Sequence, residues 1–221
     1  MISLPRVAER RCNVCGGQEF MLGPNDRLSA TREPPRCVEC LSLERHRQLR
    51  TVYARIPREV LAGLAVLQMS PDVSVEPDWF ASYEVSVFGG SNSLDLEAID
   101  RPDAHYDLVI CNHVLEHVRH DEQGFRELLR ITRPHGFVQI TVPTPYTRAT
   151  TREFDAPDGG AFGHWRAYGQ DLVEHFTAAL PGVKLVQVEA FDPVTQAGGY
   201  IYLWTLGEDT AARLHGWMSG G

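Results

Sequence analysis

The sequence contains no apolar run near the ~18–20 residues that a membrane-spanning helix needs, so it predicts no transmembrane segment. The first residues, MISLPRVAERR, lack the apolar stretch of a secretory signal peptide, and we therefore expect a cytoplasmic protein. An extreme composition is lacking as well. Of the 221 residues, 43% are hydrophobic and 23% are charged, which excludes general disorder and predicts a packed core.

A broad positive charge is also lacking. The formal net charge is -8, and residues 1–60 carry 11 arginines against 7 acids, whereas the rest of the chain is strongly acidic. Phosphate backbones bind to broad basic surfaces, so this balance disfavours a protein that wraps nucleic acid. A basic N-terminal part, which we call the basic head, before an acidic remainder predicts two structural units with different roles.

Four of the five cysteines form two pairs, Cys12 with Cys15 and Cys37 with Cys40, separated by 21 residues. This spacing lets four thiolates converge on one tetrahedral ion, so it predicts a structural Zn²⁺ site without an open position for catalysis. Disulfide or redox chemistry is the alternative, and a cytoplasmic setting disfavours it. The spacing leaves three roles open for this zinc ribbon. It could stabilise the fold, cover the substrate, or recognise a binding partner.

The run from Leu41 to Arg55 combines apolar residues at helical spacing with many arginines, which predicts an amphipathic helix after the second cysteine pair. Its charged residues at 44–47 either contact an anion or form a solvated face. We therefore divide the chain into a zinc ribbon at 1–45, a linking helix at 46–62 and a main domain at 63–221.

The main domain alternates apolar runs with helical stretches. Strands are predicted at 64–69, 82–88, 106–111, 137–142, 184–190 and 199–206, and a helix is predicted at 122–132. The turn Arg133-Pro134-His135-Gly136 ends that helix. Alternation of this kind is typical of a three-layer α/β domain of Rossmann-like type with a mostly parallel sheet. Its ligand is expected at the carboxyl ends of the strands.

Two segments carry a resemblance to a known family. Tyr106–Val118 is a predicted strand that leads into Leu-Glu-His, and Glu127–Gly136 contains Glu-Leu-x-Arg before a Pro-x-Gly turn. In these motifs the chain resembles the S-adenosylmethionine-dependent methyltransferases of the Rossmann-like class. The cysteine pairs, the run Ser-Leu-Glu-Arg-His-Arg and the segment Gly163–Gly169 are similar to a subgroup with an N-terminal zinc ribbon.

The resemblance implies an S-adenosylmethionine site at the strand ends. The family's Gly-x-Gly loop is missing after the first strand, where Pro71-Asp72 matches a Pro-acid pair of the subgroup, and the family's ribose-binding acid is missing after the second strand. Asp72 is expected to contact the cofactor's ammonium, with a tight helix-capping turn as the alternative. The expected cofactor residues are Gln68, Met69, Ser70, Pro71, Asp72, Ser91, Asn92, Asp95, Cys111 and Asn112. For Cys111 the alternative is a buried apolar filler.

A hydroxyl or amine acceptor needs a base near neutral pH, and histidine supplies one. The candidates for catalysis are His113, His164 and His117, with Tyr168 as an orienting or acidic group, and a structural role is the alternative for each histidine. The candidates for substrate binding are Tyr146, Arg148 and Arg166.

These residues predict methyl transfer from S-adenosylmethionine to a small molecule or a carrier-bound metabolite, with no membrane partner. A repurposed fold that catalyses another reaction, or acts as a binding protein, is the main alternative. An RNA methyltransferase is a further alternative, because the basic head allows it. The sequence predicts no oligomeric state.

Overall fold

The computed structural model describes residues 1–220 and is built around one seven-stranded sheet. In chain order the strands are β1 (Ile2–Ser3), β2 (Phe20–Met21), β3 (Arg36–Cys37), β4 (Ala65–Gln68), β5 (Ser82–Val85), β6 (Tyr106–Asn112), β7 (Thr132–Thr141), β8 (Arg152–Asp158), β9 (His164–Ala167), β10 (Lys184–Phe191) and β11 (Gly198–Thr205). The α-helices are α1 (Glu44–Tyr53), α2 (Arg58–Leu61), α3 (Asp121–Arg130), α4 (Leu172–Ala179) and α5 (Glu208–Ser219). Within residues 1–220, no helix is long and apolar enough to cross a membrane.

The strand order in the main sheet is β1-β10-β11-β7-β6-β4-β5. Strands β5, β4, β6 and β7 are parallel, β11 is antiparallel to both β7 and β10, and β1 is parallel to β10. The carboxyl ends of β4 to β7 and of β10 therefore lie at one edge of the sheet. This arrangement confirms the mostly parallel sheet predicted from the sequence.

Helices cover both faces of this sheet and give three layers, as predicted. On one face α3 and α4 pack their phenylalanines, Phe125 and Phe176, against Trp204 of β11. On the other face Leu49 of α1 and Leu214 of α5 belong to a second core. Side chains alternate along a strand, so β11 contributes to both cores.

The helix predicted at 122–132 ends at Arg130, and β7 begins already at Thr132, five residues before the predicted strand. The pairing between β6 and β7 is irregular at this point, where Tyr106 opposes Thr132 but Leu108 opposes Phe137. A Cβ atom on Gly136 would lie 2.4 Å from the Asp107 carbonyl oxygen. Glycine is needed here because the two backbones approach so closely.

The single linking helix predicted at 46–62 is two helices, α1 and α2, which are separated at residues 54–57. The arginine-rich face of α1 is not solvated. Eight of the ten residues of α1 are buried, among them Arg47 and Arg50. The Arg47 side chain is 0% exposed and forms two hydrogen bonds with the Asp192 carboxylate, at 2.7 and 2.8 Å. The expectation of an anion-binding or solvated face is therefore wrong for Arg47, because its charge is paired inside the protein.

The four-cysteine segment is tied to the main sheet at several points. Arg47 donates to the carbonyl oxygens of Ser42 and Pro35, and Asn13 donates to the carbonyl oxygen of Arg47. The hydroxyl of Thr31 donates to the Thr195 carbonyl oxygen at 2.6 Å. The first strand, β1, lies in the main sheet itself. The division at residues 45 and 62 stays a prediction.

Candidate active site

A cavity of about 650 Å³ lies at the carboxyl ends of β4, β5 and β6, and we name it the strand-end cavity. Its walls come from the loops that follow these three strands, which is where ligands of open α/β sheets bind. Among the predicted cofactor residues it contains Met69, Ser70, Pro71 and Asp95. Its apolar wall is completed by Val87, Phe88, Leu94, Leu96, Val114, Val118 and Trp165.

Asp72 has both carboxylate oxygens engaged within the protein. Oδ1 accepts hydrogen bonds from the backbone N–H and the hydroxyl of Ser74, and Oδ2 accepts from Asn112 Nδ2 at 2.9 Å. These bonds form a local turn with Ser74, but they cap no helix, because the 3-10 turn Pro77–Trp79 that follows begins after Glu76 and has no side-chain cap. Asp72 therefore holds the loop after β4 against the end of β6.

Three other predicted cofactor residues are buried at the strands rather than in the cavity. Gln68 donates to the Ser70 carbonyl oxygen at 2.6 Å and accepts from the Tyr83 hydroxyl, so it positions the loop. Asn112 accepts from Gln139 and Thr141. Cys111 is 0% exposed, and burial raises the pKa of its thiol. The filler alternative fits Cys111, and direct cofactor contact by these three residues is corrected to a supporting role.

The prediction for Asn92 is also corrected, whereas the one for Ser91 stays a prediction. Both are exposed, and Asn92 adopts a left-handed conformation with φ 48°. Its amide group bonds to Glu84 and Arg101, at the far side of β5. A polar turn residue satisfied by these neighbours is not directed toward a ligand in the strand-end cavity.

A second cavity, of about 760 Å³, adjoins the first, and we name it the ribbon cavity. Part of its wall is Pro24–Ala30 of the four-cysteine segment, and another part is the start of α1 with Glu44 and Arg45. The segment after β7, the loop before β9 and the turn before β11 complete it with Thr141, Val142, Pro143, Thr144, Pro145, Tyr146, Phe162, His164, Ala197, Gly198, Gly199 and Tyr200. A third cavity, beside Trp79, contains none of the predicted site residues.

The two cavities share His113 and His117, which form the junction between them. His113 follows β6 with φ 52°, and its backbone N–H donates to the Thr141 carbonyl oxygen at 2.9 Å. This strained turn carries the chain from the sheet into the 3-10 turn Leu115–His117. The junction therefore lies directly above the ends of β6 and β7.

Glu116 lies under the junction and is 1% exposed. Its Oε1 is 3.5 Å from His113 Nδ1, and neither of its oxygens accepts a hydrogen bond from any donor within residues 1–220. The rings of His117 and His164 meet edge to face with centroids 4.6 Å apart. Burial lowers the pKa of His164, and the nearby His117 and His113 lower it further, against the opposing effect of Glu116.

Of the predicted substrate residues, Tyr146 lines the ribbon cavity and packs against Tyr200. Its hydroxyl donates to Glu189 at 2.8 Å, and burial together with this bond raises its pKa to about 12. Arg166 is instead buried and donates to the carbonyl oxygens of Val118 and Arg119. Its prediction as a substrate ligand is wrong, because this guanidinium fixes the loop at residues 118–119. We name this loop, which follows His117, the junction loop.

One further prediction, for Tyr168, is corrected by burial, whereas the one for Arg148 stays a prediction. Tyr168 is 0% exposed in the core between α3 and α4, and its hydroxyl donates to Asp121 at 2.5 Å. It therefore cannot orient a substrate. Arg148 lies on the exposed segment that leads to β8. Sequence reasoning missed Glu116 and the wall at Pro24–Ala30, although Glu116 is the middle residue of the Leu-Glu-His motif.

The four predicted metal ligands come together. The Sγ atoms of Cys12, Cys15, Cys37 and Cys40 lie within 4.8 Å of one another, and two Sγ–Sγ pairs are 3.6 and 3.7 Å apart. A tetrahedron with Zn–S bonds of about 2.3 Å has an S–S edge of about 3.8 Å. Gly16, at φ 85°, closes the first knuckle. The donor set and its spacing fit one tetrahedral metal ion.

Comparison with known proteins supports the resemblance. Residues 87–140, which include β6, the Leu-Glu-His motif, α3 and most of β7, match the model of the methyltransferase domain family. No curated protein matches the sequence. The chain is thus similar over this segment to S-adenosylmethionine-dependent methyltransferases, with a four-cysteine cluster before the main domain.

Three of the solved structures that match this chain have the following identity and coverage. A Burkholderia thailandensis 1,6-didemethyltoxoflavin N1-methyltransferase, with its substrate and S-adenosylhomocysteine bound, has 14% identity and a TM-score of 0.47, covering 71% of this chain and 76% of that one. An S-adenosylmethionine-dependent methyltransferase from Mesorhizobium loti has 11% identity and a TM-score of 0.45, covering 72% and 96%. The 4+2 cyclase SpnF has 15% identity and a TM-score of 0.46, covering 87% and 90%.

Proposed function

We propose that this protein transfers a methyl group from S-adenosylmethionine, bound in the strand-end cavity, to a small molecule bound in the ribbon cavity. The observation that carries the proposal is the junction at His113 and His117, where two cavities of sizes suited to small ligands meet above the strand ends. When bound, S-adenosylmethionine supplies an electrophilic methyl group on a sulfonium.

The residues of the strand-end cavity fit this cofactor. Phe88 is 78% exposed at the cavity, and Leu94 and Leu96 are buried apolar neighbours, so an adenine ring has a flat apolar surface to cover. Asp95 supplies an exposed carboxylate beside them. The loop after β4 forms the opposite wall with Met69, Ser70 and Pro71. Hydrogen bonds of Gln68 and Asp72 hold this loop in position.

His113 is the proposed base. It lines both cavities, so its imidazole lies where an acceptor's proton leaves as the methyl group arrives. Holding the acceptor and the methyl donor at this junction supplies much of the rate through orientation. Tyr146 and Tyr200 give the acceptor an aromatic wall, and Arg45 adds a positive charge to the same cavity.

The four thiolates are proposed to hold a structural Zn²⁺. With four cysteine ligands the ion has no open position, so it would act through folding. Pro24–Ala30 lies between the two cysteine pairs and also lines the ribbon cavity. A zinc ion would therefore stabilise part of the acceptor site without touching the acceptor. A cavity of this volume and an acidic main domain favour a small acceptor over RNA.

Calorimetric titration of the zinc-loaded protein with S-adenosylmethionine, and separately with S-adenosylhomocysteine, tests the proposal. We expect micromolar binding of both and weaker binding by Asp95→Ala. The matched control is Asp100→Ala, which removes another exposed acid a few residues away. If folded, zinc-loaded protein binds neither compound, the proposal is wrong, and a repurposed pocket becomes the better explanation.

A further inference from the structure

Glu116 is the least explained charged group of the junction. Burying a carboxylate costs several kcal/mol unless it is paired, hydrogen-bonded or bound to a metal ion. Glu116 is 1% exposed, and within residues 1–220 neither oxygen receives a hydrogen bond. The Nδ1 atom of His113 is 3.5 Å from Glu116 Oε1, which is too far for a hydrogen bond with an imidazole N–H. A ligand that binds this carboxylate would remove the cost.

Two histidines supply further donors at the same place. One ligand atom each from Glu116, His117 and His164 lies within 4.8 Å of the others. Glu116 and His117 come from the 3-10 turn after β6, whereas His164 comes from the start of β9, so tertiary structure brings them together. Two imidazoles and one carboxylate form a donor set typical of divalent first-row transition metals.

We propose that Glu116, His117 and His164 bind a divalent transition-metal cation at the wall of the ribbon cavity. All three residues line that cavity, so coordination positions remain open toward its interior. An acceptor with a hydroxyl or carboxylate oxygen would fill one of them. The cation would orient the acceptor and lower the pKa of a bound hydroxyl. His113, which is not part of this donor set, remains available as the base.

Glu116 supplies a carboxylate whose charge balances that of such a cation, and His117 and His164 each supply one ring nitrogen. This site also differs from the cysteine cluster, because two imidazoles and one carboxylate accept several divalent first-row cations, whereas four thiolates favour Zn²⁺. The metal inference extends the proposed methyl transfer, but cation binding is measurable without any cofactor or acceptor.

Mn²⁺ titration of protein that carries one Zn²⁺ per chain, so that the histidine and glutamate donors are free, tests the inference; the electron paramagnetic resonance signal of free Mn²⁺ is followed. We expect one saturable Mn²⁺ site per chain while the zinc content stays constant. Glu116→Gln and His164→Gln should each weaken Mn²⁺ binding by at least about 100-fold, more than the loss of a residue that only orients a ligand. The matched controls are Glu174→Gln and His215→Gln, which change exposed residues of α4 and α5 and should leave binding intact.

Absence of saturable Mn²⁺ binding in the folded protein would overturn the inference. Binding that survives both Glu116→Gln and His164→Gln would overturn it as well. Because His164 is only partly buried, its variant keeps the test decisive if Glu116→Gln fails to fold. S-adenosylhomocysteine binding without a Mn²⁺ site would leave the proposed function standing and remove the metal, whereas Mn²⁺ binding without cofactor binding would do the reverse.

Discussion

The contact between the four-cysteine segment and the sheet differs sharply from the junction of the two cavities. At the contact, Asp192 is fully buried, binds the Arg47 guanidinium through both oxygens and also accepts hydrogen bonds from the backbone N–H and hydroxyl of Thr195. At the junction, Glu116 is buried to nearly the same degree, yet no donor within residues 1–220 reaches it.

The difference shows two uses of a buried carboxylate. Asp192 has its hydrogen-bonding capacity filled by the protein, so it fixes α1 and the four-cysteine segment in one position on the sheet. Glu116 keeps its capacity free at the wall of a cavity, which is the arrangement expected of a ligand-binding group. Asp192 therefore has an architectural role, whereas Glu116 is the carboxylate that we propose to bind a ligand.

Removal of the zinc is expected to have the largest effect. With a chelator, or in Cys37→Ser, the segment around residues 12–42 should lose its ordered structure, because structural zinc supplies roughly 10–16 kcal/mol to small isolated zinc modules. Hydrogen exchange checks this: amides of the segment should exchange orders of magnitude faster, while those of α3 stay protected. Unchanged protection of residues 12–42 would mean that the Arg47–Asp192 contact suffices to hold the segment.

The second largest effect on stability is expected from breaking the Arg47–Asp192 ion pair. Arg47→Met leaves Asp192 buried without its cation, and we expect a loss of about 3–5 kcal/mol in the free energy of unfolding, measured with urea. In the double variant with Asp192→Leu, much of the loss should be recovered, since no charge is then left unpaired. A loss below about 1 kcal/mol in the single variant would contradict the architectural role of the pair.

Acid should weaken the contact through His46, whose Nδ1 accepts from the backbone N–H of Leu43 at the start of α1. Burial lowers its pKa from 6.5 to about 4, helped by Arg45, His113 and Arg47 and opposed by Asp72. Between pH 4 and pH 6.5, His46 is therefore protonated in the unfolded chain but not in the folded protein. Stability should be full above pH 6.5 and fall as the pH drops toward 4, by at most about 3 kcal/mol.

The control for this prediction is His46→Gln, which does not titrate and keeps an acceptor for the Leu43 N–H. Urea unfolding of both proteins between pH 4 and 7 distinguishes the contribution of His46 to the pH dependence of stability from that of the other titratable groups. The loss of stability between these pH values should be smaller in the variant. An identical pH profile would show that His46 is not the group responsible.

The smallest change in stability is expected at the junction. Glu116→Gln removes an unpaired buried charge, so the metal-free variant should unfold with the same free energy or one raised by about 1 kcal/mol. Asp192→Asn should instead be destabilised by several kcal/mol, because it breaks the paired carboxylate. Urea unfolding of both variants at neutral pH measures the contrast. If Glu116→Gln were as destabilising as Asp192→Asn, Glu116 would be a structural residue.

Local patterns in the sequence predicted the parts of the molecule that depend on near neighbours. The spacing of the cysteine pairs predicted the cluster, because each knuckle is a short turn. The apolar runs predicted six of the seven strands in the main sheet, all but β1, and the loop after the first predicted strand lies in the strand-end cavity at residues 69–71.

Long-range packing explains what the sequence could not predict. Tyr168 and Arg166 read as polar residues near a loop, yet α3 and the junction loop bury them. The wall at Pro24–Ala30 depends on how the four-cysteine segment lies against the turn before β11. The unpaired state of Glu116 is a property of its surroundings, which no motif encodes.

The central claim is that cofactor and acceptor occupy two cavities that meet at His113 and His117. The most direct test is a crystal structure of the zinc-loaded protein with S-adenosylhomocysteine. We predict the adenine group beside Phe88 and Asp95 in the strand-end cavity, with the sulfur facing the junction. Binding of S-adenosylhomocysteine in the ribbon cavity, or with its sulfur directed away from the junction, would contradict the account.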